Sequence, residues 1–221
     1  MNANRLAVFD CDGTLVDSEA NICLAIEDSF RLSGLEPPPH ALARRVVGLS
    51  LVEAMQVLLP EGDAEIHVRL AEDYKSAFKR LRGQGLVAEP LFDGIADAID
   101  EIGATGWLLG VATGKSDRGL TFCLEHHGLT RRFITRQTAD RHPSKPHPSM
   151  LHQAMADAGA MPETTVMIGD TRYDIAMAKA AGVTAIGVAW GYHEQLELFE
   201  EGADVVVGHP RELVAWLEHH R

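Results

Sequence analysis

The chain has 221 residues, a net charge of −12 and 46% hydrophobic residues, an ordinary composition for a globular protein. The acidic balance and the lack of a long basic run argue against a nucleic-acid partner, although a metal and a few local donors can still bind a small anion. We expect neither a membrane partner nor a secretory signal, and three cysteines without C-x-x-C spacing favour the cytoplasm.

The first predicted element is a short apolar strand, Leu6 to Phe9, that ends at two carboxylates, Asp10 and Asp12. In open α/β sheets, ligands bind just beyond the carboxyl ends of the strands. The two carboxylates repel each other, which favours a bound cation between them. Gly13 allows a tight turn in which backbone N–H groups can approach an anion.

Residues 18–85 show helical periodicity and contain no strand candidate. Ser50 and Glu53 form a pattern that predicts a capping box at one helix start, and Gly83 marks the end of another helix. An all-helical block directly after the first strand indicates an insertion, a small helical cap. The apolar residues that mark its helices are Ile22, Ile26, Phe30, Leu51, Met55, Leu58, Ile66, Leu70, Phe78 and Leu81.

From Gly94 onward, strand and helix patterns alternate, which predicts a parallel sheet with helices on both faces. We therefore predict an α/β fold, with a Rossmann-like parallel sheet core at 1–17 and 86–221 and an inserted α-helical cap at 18–85. The predicted strands are 107–112, 133–135, 165–168, 185–188 and 204–207. The predicted helices are marked by Ile95 to Ile102, Ser116 to Leu124, Met150 to Met155 and Ile175 to Ala181.

Polar residues stand where several predicted strands end. Asp10, Thr113 and Asp170 each follow an apolar run, so they should converge on one edge of the sheet. Asp174 lies four residues after Asp170 and should project toward the same side, while Lys145 lies in a stiff loop that leads into a helix. Carboxylate oxygens suit Mg²⁺, and a lysine and a threonine hydroxyl suit phosphate oxygens. The set predicts metal-assisted phosphoryl transfer.

The chemistry assigns a role to each group. Asp10 would attack phosphorus and form an aspartyl-phosphate. Asp12 would protonate the leaving oxygen and then deprotonate the attacking water. Mg²⁺ bound by Asp10 and Asp170 would shield the nucleophile from the phosphate charge. The groups expected to hold the phosphate oxygens are Thr113, Lys145 and the backbone N–H groups near Asp12 and Gly114.

Four segments appear in a fixed order: Asp10-Cys11-Asp12-Gly13-Thr14, Thr113-Gly114, Lys145-Pro146, and Gly169-Asp170 with Asp174. In this order they resemble the haloacid dehalogenase-like hydrolase superfamily, in its phosphoglycolate phosphatase-like and β-phosphoglucomutase-like branch. The resemblance covers nearly the whole chain and implies a helical cap after the first segment.

The resemblance also implies site roles. It makes Asp10 the nucleophile, Asp12 the acid/base and Asp170 a metal ligand, with the main-chain carbonyl of Asp12 as a further ligand and Asp174 as support, often through water. Because dehalogenase members lack the second Asp, Asp12 favours phosphate substrates. Arg45 and the loop at residues 48–50 lie in the cap, where they could reach the site and read the substrate.

We expect Mg²⁺-dependent hydrolysis of a small phosphomonoester, with phosphoglycolate as the leading candidate. Sugar phosphates, nucleoside monophosphates and pyrophosphate are also open. One alternative is a β-phosphoglucomutase-like mutase, which would carry a His shortly after the first segment; residues 18–22 contain none. The other alternative is a catalytically silent protein that binds a phosphorylated ligand. Thr113-Gly114-Lys115-Ser116 resembles the end of a nucleotide-binding P-loop, but position 109, where that loop needs Gly, is Leu109.

Overall fold

The computed structural model describes residues 3–219. Its strands are β1 (Asn4–Phe9), β2 (Leu108–Thr113), β3 (Thr135–Thr138), β4 (Ala160–Gly169), β5 (Thr184–Val188) and β6 (Val205–Val207). Its helices are α1 (Glu19–Leu32), α2 (His40–Arg45), α3 (Leu51–Leu58), α4 (Ala64–Gly83), α5 (Ile95–Ala104), α6 (Asp117–His126), α7 (Ser149–Ala158), α8 (Arg172–Ala181), α9 (Gln195–Glu200) and α10 (Pro210–His219).

The six strands found within residues 3–219 form one parallel sheet in the order β3-β2-β1-β4-β5-β6. Strand order reverses beside β1, where β2 lies on one side and β4 on the other, and ligands bind at such a switch point in doubly wound sheets. The alternation of strands and helices thus produces a Rossmann-like α/β fold. The fold class predicted from the sequence is confirmed.

Strand β1 is buried on both faces, which explains its continuous apolar run. Leu6 and Val8 pack into a hydrophobic cluster that includes apolar residues of α7 and α8. Ala7 and Phe9 point the other way, into a cluster that includes residues of α5, α6 and α10. Because alternate side chains anchor opposite layers, the position of the residue after Phe9 is fixed from both sides.

Helices α1 to α4 form a helical insert (residues 19–83) with its own hydrophobic cluster. Phe30, Met55 and Leu70 are fully or almost fully buried there. Asp63 caps the start of helix α4, and its Oδ1 accepts a hydrogen bond of 2.9 Å from the Ile66 backbone N–H. This amphipathic packing, rather than contact with the sheet, holds the four helices together.

Two local predictions were wrong. Ser50 precedes α3 without a side-chain capping bond; its backbone N–H donates to Ser144 Oγ at 2.9 Å, outside the insert. Strand β3 begins at Thr135 instead of Phe133, and its pairing with β2 runs from Thr135 to Thr138. Phe133 lies before the strand and packs against Phe9, with ring centroids 6.2 Å apart. Among residues 3–219, none of the helices is long and apolar enough to cross a membrane.

Candidate active site

Three loops at the carboxyl end of the sheet bring the acidic residues together. Asp10 follows β1 directly, and its backbone N–H donates to the Ile168 carbonyl of β4 at 2.9 Å. Gly13 has φ +86°, and a Cβ at this position would lie 2.2 Å from Asp170 Oδ2. Only glycine therefore allows the loop after β1 to pass so close to the carboxylate that follows β4.

Asp10, Asp170 and Asp174 each contribute a carboxylate oxygen to a cluster in which these atoms lie within 4.8 Å of one another. All three residues are buried. Two donors orient Asp170: Thr14 Oγ1 donates to Oδ1 at 3.0 Å, and the backbone N–H of Tyr192 donates to Oδ2 at 2.9 Å. The cluster is therefore preorganised by the folded loops.

Asp174 is fixed by its own helix and by a lysine. Thr171 caps α8, and its backbone N–H and hydroxyl donate to Asp174 Oδ2 at 3.1 and 2.7 Å. Lys145 Nζ lies 2.6 Å from Asp174 Oδ1 and 2.8 Å from Asp10 Oδ1. Burial alone lowers the pKa of Lys145, but these two carboxylates outweigh it and raise the pKa, so the side chain is an ammonium.

The charges of the cluster are not balanced by protein groups alone. Asp10 Oδ1 is in ion-pair range of Lys145, yet within the described residues neither Asp10 oxygen has a donor in hydrogen-bonding geometry. Burial raises the pKa of Asp10 to about 7, against the opposing effect of Lys145, and burial also raises the pKa of Asp170. Buried carboxylate oxygens without donors fit a hard divalent cation such as Mg²⁺.

Asp12 belongs to a different set of contacts. Lys115 Nζ is 2.7 Å from Asp12 Oδ1 and 2.7 Å from Glu89 Oε1. Ser18 Oγ donates to the same Asp12 oxygen, and the Tyr192 hydroxyl accepts from the Ser18 backbone N–H at 2.9 Å. The side chain of Asp12 is therefore not part of the cluster formed by Asp10, Asp170 and Asp174.

Thr113 and Gly114 follow β2 at the same edge. Thr113 is fully buried, and its Oγ1 accepts a bond of 3.2 Å from the Lys115 backbone N–H. A Cβ at Gly114 would lie 2.6 Å from the Leu49 carbonyl oxygen and 2.8 Å from that of Gly48. The helical insert therefore touches the sheet edge at Gly114, and the close approach of the two backbones requires glycine there.

Arg45 is not brought to this cluster. Its guanidinium pairs with Glu197 of α9 at 2.5 Å, and its side chain is 49% exposed. Its carbonyl accepts from the Tyr173 hydroxyl at 3.3 Å and lies 3.2 Å from His193 Nε2. In this arrangement Arg45 joins the insert to α8 and α9 and does not line the cavity described next, contrary to its expected position.

A cavity of about 500 Å³ separates the insert from the sheet edge. On the sheet side it is lined by Asp12, Gly114 and Lys115. On the insert side the apolar lining residues are Ile22, Ile26, Val46, Val47, Leu49, Leu51, Val52, Met55, Tyr74 and Phe78, and the charged side chains of Lys75, Lys79 and Arg82 also line the wall. A ligand in this cavity would have one end near Asp12 and Lys115 and its body along the apolar side chains of the insert.

Sequence reasoning missed several residues of this site. In the sequence, Lys115 stands out only as part of the P-loop-like pattern, although it directly follows Thr113-Gly114 at a strand end. Gly191 and Tyr192 follow the end of β5; a Cβ at Gly191 would lie 2.2 Å from Asp170 Cβ. The same rule that selected the ends of β1, β2 and β4 applies to β5 and would have found this loop.

Fold and site together define a hydrolase with an acidic centre at the switch point of a parallel sheet. The sequence profile of the haloacid dehalogenase-like hydrolases matches residues 7–188, and the chain belongs to this family. This conclusion does not depend on any single motif, because the match spans most of the chain.

Curated relatives cover most of this chain. It is 36% identical to the probable phosphatase IndB of Dickeya dadantii, covering 91% of this chain and 88% of that protein. It is 30% identical to the tyrosine-protein kinase PtkA of Mycobacterium tuberculosis (93% and 68%) and 31% identical to a phosphoglycolate phosphatase of Xylella fastidiosa (93% and 90%).

A solved structure agrees with these relatives. The crystal structure of a "predicted phosphatase" from Clostridium acetobutylicum superposes with a TM-score of 0.88 at 25% identity, over 99% of this chain and all of that one. The expected superfamily and its phosphoglycolate phosphatase-like branch are thereby confirmed.

Proposed function

We propose that this hydrolase, a phosphatase by class, removes the phosphoryl group from a small phosphomonoester in a Mg²⁺-dependent reaction through an aspartyl-phosphate. The observation that carries the proposal is the buried cluster of Asp10, Asp170 and Asp174, in which Asp10 Oδ1 is paired with Lys145 while Asp10 Oδ2 has no hydrogen-bond donor among the described residues. The phosphoglycolate phosphatase among the relatives supports phosphoglycolate as the substrate, and a sugar phosphate is the alternative expected from the sequence.

In the first step, an Asp10 oxygen attacks phosphorus while the bond from phosphorus to the leaving oxygen breaks. Asp12 gives its proton to that oxygen, so the product leaves as a neutral alcohol. Asp12 suits this role because its contacts with Lys115 and Ser18 both involve Oδ1, and the residue lines the cavity in which a leaving group would lie.

In the second step, water attacks the phosphorus of the aspartyl-phosphate. Asp12, now a carboxylate, takes the water proton, and the bond from phosphorus to Asp10 breaks to give inorganic phosphate. Lys145 and the Thr113 hydroxyl would bind phosphate oxygens in both steps, as would the Gly114 backbone. The enzyme returns to its starting protonation state.

Mg²⁺ would be held by Asp10, Asp170 and the main-chain carbonyl of Asp12, with Asp174 in support, and when bound it supplies positive charge that offsets the repulsion between carboxylate and phosphate. The helical insert would act as the cap at 18–85, excluding bulk water and defining the leaving-group pocket. The proposed compartment is the cytoplasm, on the grounds of the cysteine pattern.

A substrate panel tests this proposal. Phosphate release is measured from phosphoglycolate, a hexose phosphate, a nucleoside monophosphate and pyrophosphate, each with Mg²⁺ and with excess chelator. We expect turnover of at least one monoester that disappears with the chelator and returns on adding Mg²⁺. Chelator-resistant turnover, or Mg²⁺ binding without turnover of any compound, contradicts the proposed function; the latter would favour the mutase or the silent binding protein.

A further inference from the structure

A buried lysine that the proposed reaction leaves without a role lies against the acid/base candidate. Lys115 Nζ is 2.7 Å from Asp12 Oδ1 and 2.7 Å from Glu89 Oε1, and the Lys115 side chain is only 10% exposed. The other oxygen of Glu89 lies 3.2 Å from Arg82. Two cations thus balance two carboxylates, so Lys115 is held by the fold rather than left free for an anion from solution.

The anchor of this arrangement is rigid. Glu89 lies between α4 and α5, its side chain is 6% exposed, and its backbone carbonyl lies 2.8 Å from His127 Nε2. Burial alone lowers the pKa of Lys115, but Asp12 and Glu89 help to raise it well above its usual range. Lys115 is therefore a permanent cation at a fixed place.

The contacts select one oxygen of Asp12. Lys115 and the Ser18 hydroxyl both approach Oδ1. Oδ2 is thereby the oxygen available for proton transfer, and a general acid must hold that oxygen within hydrogen-bond reach of the leaving group. A shift of about 1 Å in such a group can cost on the order of 100-fold in rate.

We propose that Lys115, anchored by Glu89, is a positioning residue that fixes the Asp12 carboxyl so that Oδ2 faces the leaving oxygen. This inference rests on the proposed function, in which Asp12 protonates that oxygen. It assigns Lys115 no contact with the transferred phosphoryl group, which would be bound by Lys145 and Thr113.

The test uses a series of phosphomonoesters whose leaving groups differ in basicity, from 4-nitrophenyl phosphate through phenyl phosphate to an alkyl phosphate. The quantity kcat/KM reports the steps up to departure of the leaving group, and a basic leaving group depends most on the acid. For Lys115→Met we expect kcat/KM to fall roughly 10- to 100-fold for the alkyl phosphate. For 4-nitrophenyl phosphate we expect a change of about 3-fold or less, because that leaving group needs little protonation.

Glu89→Gln should show the same pattern with a smaller loss, and Lys115→Arg should restore part of the alkyl phosphate activity. Lys179→Met serves as the matched control, since Lys179 is an exposed lysine in the last turn of α8, paired with Asp204 at 3.1 Å. It should leave the whole series unchanged.

Two results overturn the inference. An equal loss for every leaving group in Lys115→Met indicates a structural role, and a rise in KM alone indicates that Lys115 binds substrate directly. Circular dichroism and the Mg²⁺-induced rise in melting temperature identify a variant that fails to fold, and Glu89→Gln then provides the test. If the unsubstituted enzyme shows no Mg²⁺-dependent turnover, the proposed function fails instead, before any variant is compared.

Discussion

Lys145 Nζ donates a hydrogen bond of 2.6 Å to Asp174 Oδ1, and both side chains are fully buried. The bond connects the loop before α7 with the first turn of α8. The same ammonium lies 2.8 Å from Asp10 Oδ1, so one cation offsets the charge of two carboxylates in a cluster of three.

Lys145→Met should therefore destabilise the metal-free protein by about 3–5 kcal/mol, the cost of removing one partner from a buried ion pair. Added Mg²⁺ should recover part of this loss, because the cation would replace some of the missing positive charge. Urea unfolding with and without Mg²⁺ measures both effects. Equal stability of the variant and the parent without metal would show that the pair contributes nothing.

Mg²⁺ should stabilise the parent protein, by about 2.7 kcal/mol at a concentration 100 times its dissociation constant. Asp170→Asn should abolish this effect, because it removes charge from the cluster. Asp12→Asn should retain it while losing turnover, since the Asp12 side chain contacts Lys115 and Ser18 rather than the cluster. The melting temperature of each protein over a Mg²⁺ titration measures this stabilisation. Loss of the stabilisation in Asp12→Asn would show that the Asp12 side chain binds the metal.

Gly114→Ala should disturb the contact between the insert and the sheet edge. Its Cβ would lie 2.6 Å from the Leu49 carbonyl oxygen, so the insert loop must move away. We expect kcat/KM to fall by about 10-fold or more, on the scale seen when a substrate is misplaced by an ångström or less.

Gly103→Ala is the matched control for that substitution. Gly103 lies within α5, and a Cβ there meets nothing within 4 Å. The control should keep full activity and stabilise the helix by up to about 1 kcal/mol. Full activity in Gly114→Ala as well would mean that the insert does not need to approach this closely for turnover.

A pH dependence is expected from Asp157, at the end of α7. Hydrogen bonds from Thr135, Gln153 and Gln137 lower its pKa, although burial opposes them. The folded state favours the ionised form of Asp157 more than the unfolded state does. The hydrogen bonds to Asp157 therefore stabilise the fold at pH values above the unfolded pKa of about 3.9. This stabilisation is lost as the pH falls through the lower folded pKa.

Asp157→Asn should therefore cost stability at pH 6 and less as the pH approaches 3. Urea unfolding of the parent and the variant across this range gives the difference in unfolding free energy. A difference that stays constant with pH would show that the hydrogen bonds do not depend on the charge of Asp157.

Sequence patterns were enough to predict the features that depend on local, periodic signals, such as buried strands and their ends. The run Leu6 to Phe9 is buried on both faces, and the places where β1, β2 and β4 end could be predicted from where apolar runs stop. Asp10, Asp170 and Asp174 were expected to converge, and they lie together in the structure.

What could not be predicted depends on packing between distant segments. Ser50 matches a capping box, but its loop lies against Ser144, so its backbone bond goes there. Arg45 was expected near the site because it belongs to the insert; its direction depends on how α2 meets α9, which no local pattern encodes. One partner of Lys115 is Glu89, 26 residues earlier in the chain, and only the folded chain pairs them.

The central claim is that Asp10 is the nucleophile, and the most direct test is phosphate release by Asp10→Asn beside the parent enzyme, with the best substrate and saturating Mg²⁺. We predict that the variant folds and loses turnover to the level of the uncatalysed background, since an amide cannot form the aspartyl-phosphate. Turnover within about 10-fold of the parent, a loss of no more than about 1.4 kcal/mol in transition-state stabilisation, would contradict the mechanism.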